Sequence, residues 1–143
     1  MEAYRFIEML TLVPSIETLL IQNPSPFDDL DPIIDASFLD RLTFPHKYQL
    51  QQYEDSVLLP TLADLTLDFE EHRFSKERLL TMVQSRCLQE HWMGDVTGWK
   101  QLRVFNLKCS ARDLDVYYRL CLEDLRMSGL KLTFEFSGIE SEE

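Results

Sequence analysis

The apolar residues change their period along the chain, and the changes mark out elements. Over residues 130 to 137, Leu130, Leu132, Phe134 and Phe136 alternate with Lys131, Thr133, Glu135 and Ser137, the period of a strand with one wet face. Residues 62 to 71 repeat the pattern, with Leu65, Leu67 and Phe69 set against Thr66, Asp68 and Glu70. In residues 101 to 109 the phase switches from Leu102 and Val104 to Phe105, Leu107 and Cys109, which predicts a central strand covered on both faces or carrying a bulge. Between these segments the period becomes helical. Leu79, Leu80, Val83, Cys87, Leu88 and His91 follow Ser75 as N-cap and run to Trp92. Leu114, Tyr117, Tyr118, Cys121 and Leu125 follow a Ser110–Asp113 capping box, and Gly129 supplies the left-handed stop.

The first third is less regular. Residues 3 to 13 carry enough apolar groups for a buried helix that Pro14 ends or kinks, and Ser15 to Asn23 read as a second helical stretch. Residues 24 to 35 concentrate three prolines and four aspartates, which predicts a loop with apolar anchors. A turn or two of helix is expected over 35 to 43, capped by Asp35 or Ser37, and a half-exposed strand over 47 to 54. The sum is an α+β domain: a small mixed sheet of about four strands with helices mainly on one face, a kinked N-terminal helix, and a C-terminal β-α-β unit ending in a strand. Residues 1–143 are expected to form a single domain, with a helical, acidic and loop-rich part (1–46), a sheet-and-helix part (47–137) and a frayed acidic tail (138–143). No internal repeat or low-complexity tract appears.

Charge narrows the partners. The formal net charge is −11, and residues 1 to 61 set ten acids against three bases. Such a field repels phosphate backbones and anionic membranes, and no basic patch offsets it, so direct nucleic-acid and membrane binding are not expected. The first thirty residues lack a signal-peptide pattern, and no stretch approaches eighteen uninterrupted apolar residues. Cys87, Cys109 and Cys121 are odd in number and lack CxxC spacing, which argues against a disulfide framework or a zinc site and for a reducing compartment, cytoplasmic or nuclear.

Three constellations are candidates for chemistry. Cys87 and His91 stand i, i+4 on one helix face, as two metal ligands do, but equally belong to the buried stripe. Cys109 ends a strand directly before an expected helix N-terminus, where a thiol can be activated; Asp115 stands where a phosphatase loop needs arginine. Asp68 and Glu70 share a strand face, as paired carboxylates or as an ordinary solvated face. The four glycines all fall at element ends or turns, so no nucleotide-cradle or nucleophile-elbow motif is present. No cofactor and no metal is expected.

Binding features are more numerous. The run from Phe27 to Leu42 interleaves carboxylates with large apolar groups, the composition of a segment that docks in a basic-rimmed groove. Phe27, Asp28, Asp29, Leu30, Asp31, Ile33, Ile34 and Phe38 are therefore the candidate partner-binding residues, the alternative being that this loop folds onto the domain's own core. Trp92 and Trp99 flank a turn-like segment and are possible anchors or edge seals. The favoured reading is a non-enzymatic protein-interaction module, an adaptor, complex subunit or inhibitor, that meets a basic or amphipathic protein surface; a homodimer is also open. An enzyme centred on Cys109 or on Asp68 and Glu70 is the alternative, and an acidic nucleic-acid mimic a further one. Size, acidity and α+β class are also similar to those of the small acidic chaperones of bacterial type III secretion, which are expected to end in a helix where this chain ends in a strand.

Overall fold

The computed structural model describes residues 3–25, 27, 31–44, 58–70, 72–87, 100–110, 112 and 114–137. Helix α1 spans Ala3–Thr11 and strand β1 Thr18–Gln22. Helix α2 spans Ala36–Leu42, strand β2 Asp64–Asp68, helix α3 Lys76–Cys87 and strand β3 Val104–Ser110. Helix α4 covers Val116–Asp124, runs into a 3-10 turn at Leu125–Ser128, and strand β4 closes the series at Lys131–Ser137. None of the described helices is long and apolar enough to cross a membrane.

The fold is α+β with a four-stranded sheet, and its last strand follows a β-α-β unit as the pattern predicts. The strands lie in chain order, β1-β2-β3-β4, and every neighbouring pair is parallel. The sheet is thus wholly parallel, where a mixed one was expected. Each connection must return from the C-terminal to the N-terminal end of the sheet, and each carries a helix. Successive helices pack on one another, α1 on α2, α2 on α3 and α3 on α4. Connections of one hand between strands laid down in sequence put their helices in one layer. The chain is a row of β-α units, each touching mainly its neighbours.

Burial alternates accordingly. Leu65 and Leu67 of β2 and Phe105, Leu107 and Cys109 of β3 point into the helix layer and are buried, joined by Ile21 and Leu132. Phe38, Leu39 and Leu42 of α2 and Leu79, Met82 and Val83 of α3 fill the other side of the same cluster. Each large apolar side chain withdrawn from water this way contributes about 1.5–3 kcal/mol. Local chemistry fixes the helix starts. Asp35 Oδ1 accepts the Phe38 N–H at 2.9 Å, and Ser75 Oγ accepts the Arg78 N–H at 3.2 Å. Gly129, at φ +103°, ends the turn after α4.

Two expectations are corrected. The second half of the expected kinked N-terminal helix is β1, whose backbone is satisfied by parallel pairing with β2. The cap of α4 is Asp115, which accepts the Tyr118 N–H at 3.2 Å, and not Ser110, which lies in the ladder opposite Ser137; Asp113 is outside the described residues. The strand expected over 47 to 54 and the tail from 138 lie outside the described residues.

A buried cation ties the helix layer to the sheet. Arg86 is fully buried, and its guanidinium donates to Leu42 O at 2.6 Å, Leu59 O at 2.9 Å and Leu58 O at 2.6 Å while lying 4.3 Å over the Phe44 ring. Burial pushes its pKa down, to about 9, so it stays charged at neutral pH. Its neighbour Ser85 accepts the Phe44 N–H at 3.0 Å. Removing the guanidinium takes a buried donor from all three carbonyls, of which Leu59 O keeps the Leu62 N–H at 3.2 Å. We expect R86A to lower the unfolding free energy by about 3–5 kcal/mol and R86K to recover only part of it, because an ammonium cannot reproduce the planar fork. Urea unfolding of the three proteins checks this, and an R86A loss below about 1 kcal/mol contradicts the clamp.

Candidate functional site

The sheet register builds a surface. On the face away from the helices, residues align in three rows: Thr18, Asp64, Val104 and Lys131; Leu20, Thr66, Asn106 and Thr133; Gln22, Asp68, Lys108 and Glu135. The outer strands of this face are open, with Thr18, Leu20, Gln22, Lys131, Thr133 and Glu135 all exposed, and the middle strands are half-exposed except at Asp68 and Ser110, which are buried. Parallel sheets are ordinarily covered on both faces and read apolar on both. Here the second face is polar, with hydroxyl, amide and charged side chains on a rigid backbone.

Within the rows the side chains are organised. Asn106 Nδ2 donates to Thr66 Oγ1 at 3.0 Å across β2 and β3. Lys108 Nζ lies 3.5 Å from Asp68 and 3.4 Å from Glu135, bridging β2 to β4. Asp68 first, and then Glu135, holds the lysine above its ordinary range. Beyond β2 the chain turns sharply at Glu70, φ +48°. Its N–H is taken by Asp68 Oδ1 at 3.0 Å, and its carboxylate accepts from Gln22 Nε2 at 2.8 Å. Asp68 and Glu70 therefore do not form a carboxylate pair on one strand face. One lies under a lysine, the other in the turn past the strand.

Cys109 is buried near the end of β3, and the next described α-helix, α4, begins at Val116. Burial pushes the Cys87 thiol up to about 12, and its Sγ lies 4.0 Å from Leu102 O. His91 is outside the described residues, as are Trp92 and Trp99. No group of three or more His, Cys, Asp or Glu placed to hold a metal ion occurs among the described residues.

The partner-binding candidates divide. Ile34 and Phe38 are buried in the core, and Ile33 packs partly against it. Asn23 at the end of β1 makes this fold-back: its Oδ1 accepts both the Ile33 N–H at 2.9 Å and the Ile34 N–H at 2.7 Å. Asn23 N–H in turn donates to Asp68 O at 2.8 Å, so the loop is anchored to the sheet. Phe27 is 89% exposed and Asp31 is exposed, while Asp28, Asp29 and Leu30 lie outside the described residues. The wet faces of β2 and β4 were legible in their alternation, but their continuation through β1 and β3 into one open face was not. Its signal was the polar half of the strand alternation, at Thr66, Asn106 and Thr133, which also fits a merely solvated face.

These placements order the thiols by access. Cys121 is half-buried, and Cys87 and Cys109 are buried. Iodoacetamide at pH 8 should alkylate Cys121 in the folded protein and reach Cys87 and Cys109 only after unfolding. Mass spectrometry of the peptides reads the order, and a Cys109 that reacts first would restore a nucleophile at the end of β3. No protein-family model matches the chain, and neither a curated protein nor a solved structure matches it.

Proposed function

We propose that the chain is a non-catalytic protein-interaction module that presents the uncovered face of its parallel sheet to a partner protein. The observation that carries this reading is the combination of parallel topology with a polar, accessible second face. A row of β-α units places its functional side chains on strands, at fixed spacing and with little conformational freedom, and such surfaces suit the recognition of another macromolecule. The central row, Thr66, Asn106 and Thr133, offers hydrogen-bonding groups, with Leu20 as an apolar neighbour at one margin. Charge complements it on the partner side. The face itself sets Asp64, Asp68 and Glu135 against Lys108 and Lys131, so it is the net charge of −11 that favours a partner surface bearing lysine or arginine over an acidic one. Phe27, exposed beyond the C-terminal end of β1, extends the surface on the side of the acidic segment.

Capture from native cell extract with the tagged protein tests the reading. Wild type and T81R, altered on the outer side of α3, should retain one stoichiometric protein partner; the folded variant L20R/T66R should lose it. A partner held equally by both variants would place the interface elsewhere.

A further inference from the structure

The last strand also carries a backbone edge, which borders the open face and shares Lys131, Thr133 and Glu135 with it. The Lys131 N–H donates to Arg103 O at 2.8 Å, so Lys131, Thr133 and Glu135 turn their peptide groups toward β3. Peptide groups alternate along a strand, which leaves those of Leu132, Phe134 and Phe136 directed outward. Leu132 O confirms the direction, for it accepts from Arg126 Nη2 at 2.8 Å on that outer side. Among the described residues no strand pairs with this edge. An unpaired edge of this length is a template for another strand.

The side chains along the edge are complementary to themselves. Lys131 and Glu135 lie two residues to either side of Thr133, on the same face, and both are exposed. If a second β4 runs antiparallel with Thr133 on the two-fold axis, Lys131 of each copy stands opposite Glu135 of the other. Leu132 then faces Phe134 of the other copy, and these are the residues whose peptide groups already point outward. The carbonyl of Leu132 keeps a lone pair for this bond beside Arg126. No like charges meet among the directly opposed residues of the two strands.

Apolar burial is incomplete at this edge. The inward residues of β2 and β3 are buried, but Phe134 and Phe136 of β4, stacked at 5.7 Å, are only partly so. Val116, Tyr117 and Leu120 of α4 and Met127 beyond it are exposed in the last unit, while α2 and α3 expose no large apolar side chain and α1 with the turn after it exposes Met9, Leu12 and Val13.

We propose that β4 is a self-association edge, through which two copies of this chain pair antiparallel about Thr133, with Lys131 and Glu135 exchanged between them. The pairing is isologous and closed, so it stops at the dimer.

Sedimentation equilibrium of the full chain tests it, with charge reversals at exposed positions that leave the core untouched. Wild type should dimerise. K131E and E135K each replace two attractive cross-strand pairs by two repulsive ones and should weaken the dimer about tenfold. An equimolar mixture of K131E and E135K should regain the wild-type affinity as a heterodimer, and so should the double variant K131E/E135K with itself. A wild type that stays monomeric at its solubility limit overturns the proposal. So does a dimer unaffected by K131E, a swap that fails to rescue, or a ladder of higher species from head-to-tail joining of β4 to β1. The open-face variant L20R/T66R lies on β1 and β2 and should dimerise normally, which separates this interface from the partner surface proposed above.

Discussion

A single buried arginine sets the relation between the helix layer and the sheet. Arg86 lies on α3, but the three carbonyls it holds belong to the end of α2 and to the segment that enters β2. Its described partners are peptide carbonyls and the face of Phe44, whose dipoles and ring solvate the charge. Arginine suits this position because its planar fork reaches three acceptors at once, which lysine cannot do. Leu59, one of those acceptors, sits at φ +51°, a left-handed conformation that costs a branched residue on the order of 1 kcal/mol or more. The two bonds at Leu58 and Leu59 offset that cost and fix where β2 begins. Three residues after Leu62 the chain is already in register, with Leu65 between Leu19 and Phe105.

The strands were legible where alternation and tertiary environment agree. β2 and β4 keep apolar side chains toward the helices and polar ones outward, so their periodicity survives in the sequence. β1 hides because Leu20 places an apolar residue on the open face; Leu19, Leu20 and Ile21 then read as an unbroken run that a helix accommodates equally well. Arg86 hides for the opposite reason, since a charged residue in a helix reads as surface until the carbonyls around it are known. The alternation of strand and helix was legible from residue 62 onward, but its extension back to β1 was not. The connections run from Asn23 to Ala63, from Phe69 to Arg103 and from Ala111 to Leu130, so no fixed period marks them, and only the pairing register reveals equivalent positions. The acidic, apolar stretch after Pro24 shows the limit most clearly. Composition cannot distinguish a segment that docks elsewhere from one that folds back, and the choice for Ile33 and Ile34 is made by Asn23, ten and eleven residues away.

A parallel sheet with one wet face has a particular energetic shape. The helix side supplies the apolar burial, while the open side must satisfy its own polar side chains without a second layer. It does so across strands rather than along them: Asn106 to Thr66, Lys108 to Asp68 and to Glu135, Gln22 to Glu70. The ion pairs are partly exposed and contribute little individually, roughly 0–1 kcal/mol each. Their larger effect is on specificity, because they fix side-chain positions on the surface and keep Asp68 from lying beside the other carboxylates without a counterion.

The two proposed surfaces are compatible in geometry. A two-fold axis through Thr133 that is normal to the sheet keeps both helix layers on one side and both open faces on the other, so the four strands of each copy continue into an eight-stranded surface. The outward peptide groups of β4 are consumed at the junction, leaving only the two β1 edges, each marked by Leu20. Two identical faces held rigidly side by side can engage a partner that carries repeated or symmetric binding elements, and the second contact then forms at the effective concentration set by the first. Weak single-face recognition, as expected for a flat polar surface with one apolar group, becomes sufficient in that arrangement without any deep pocket.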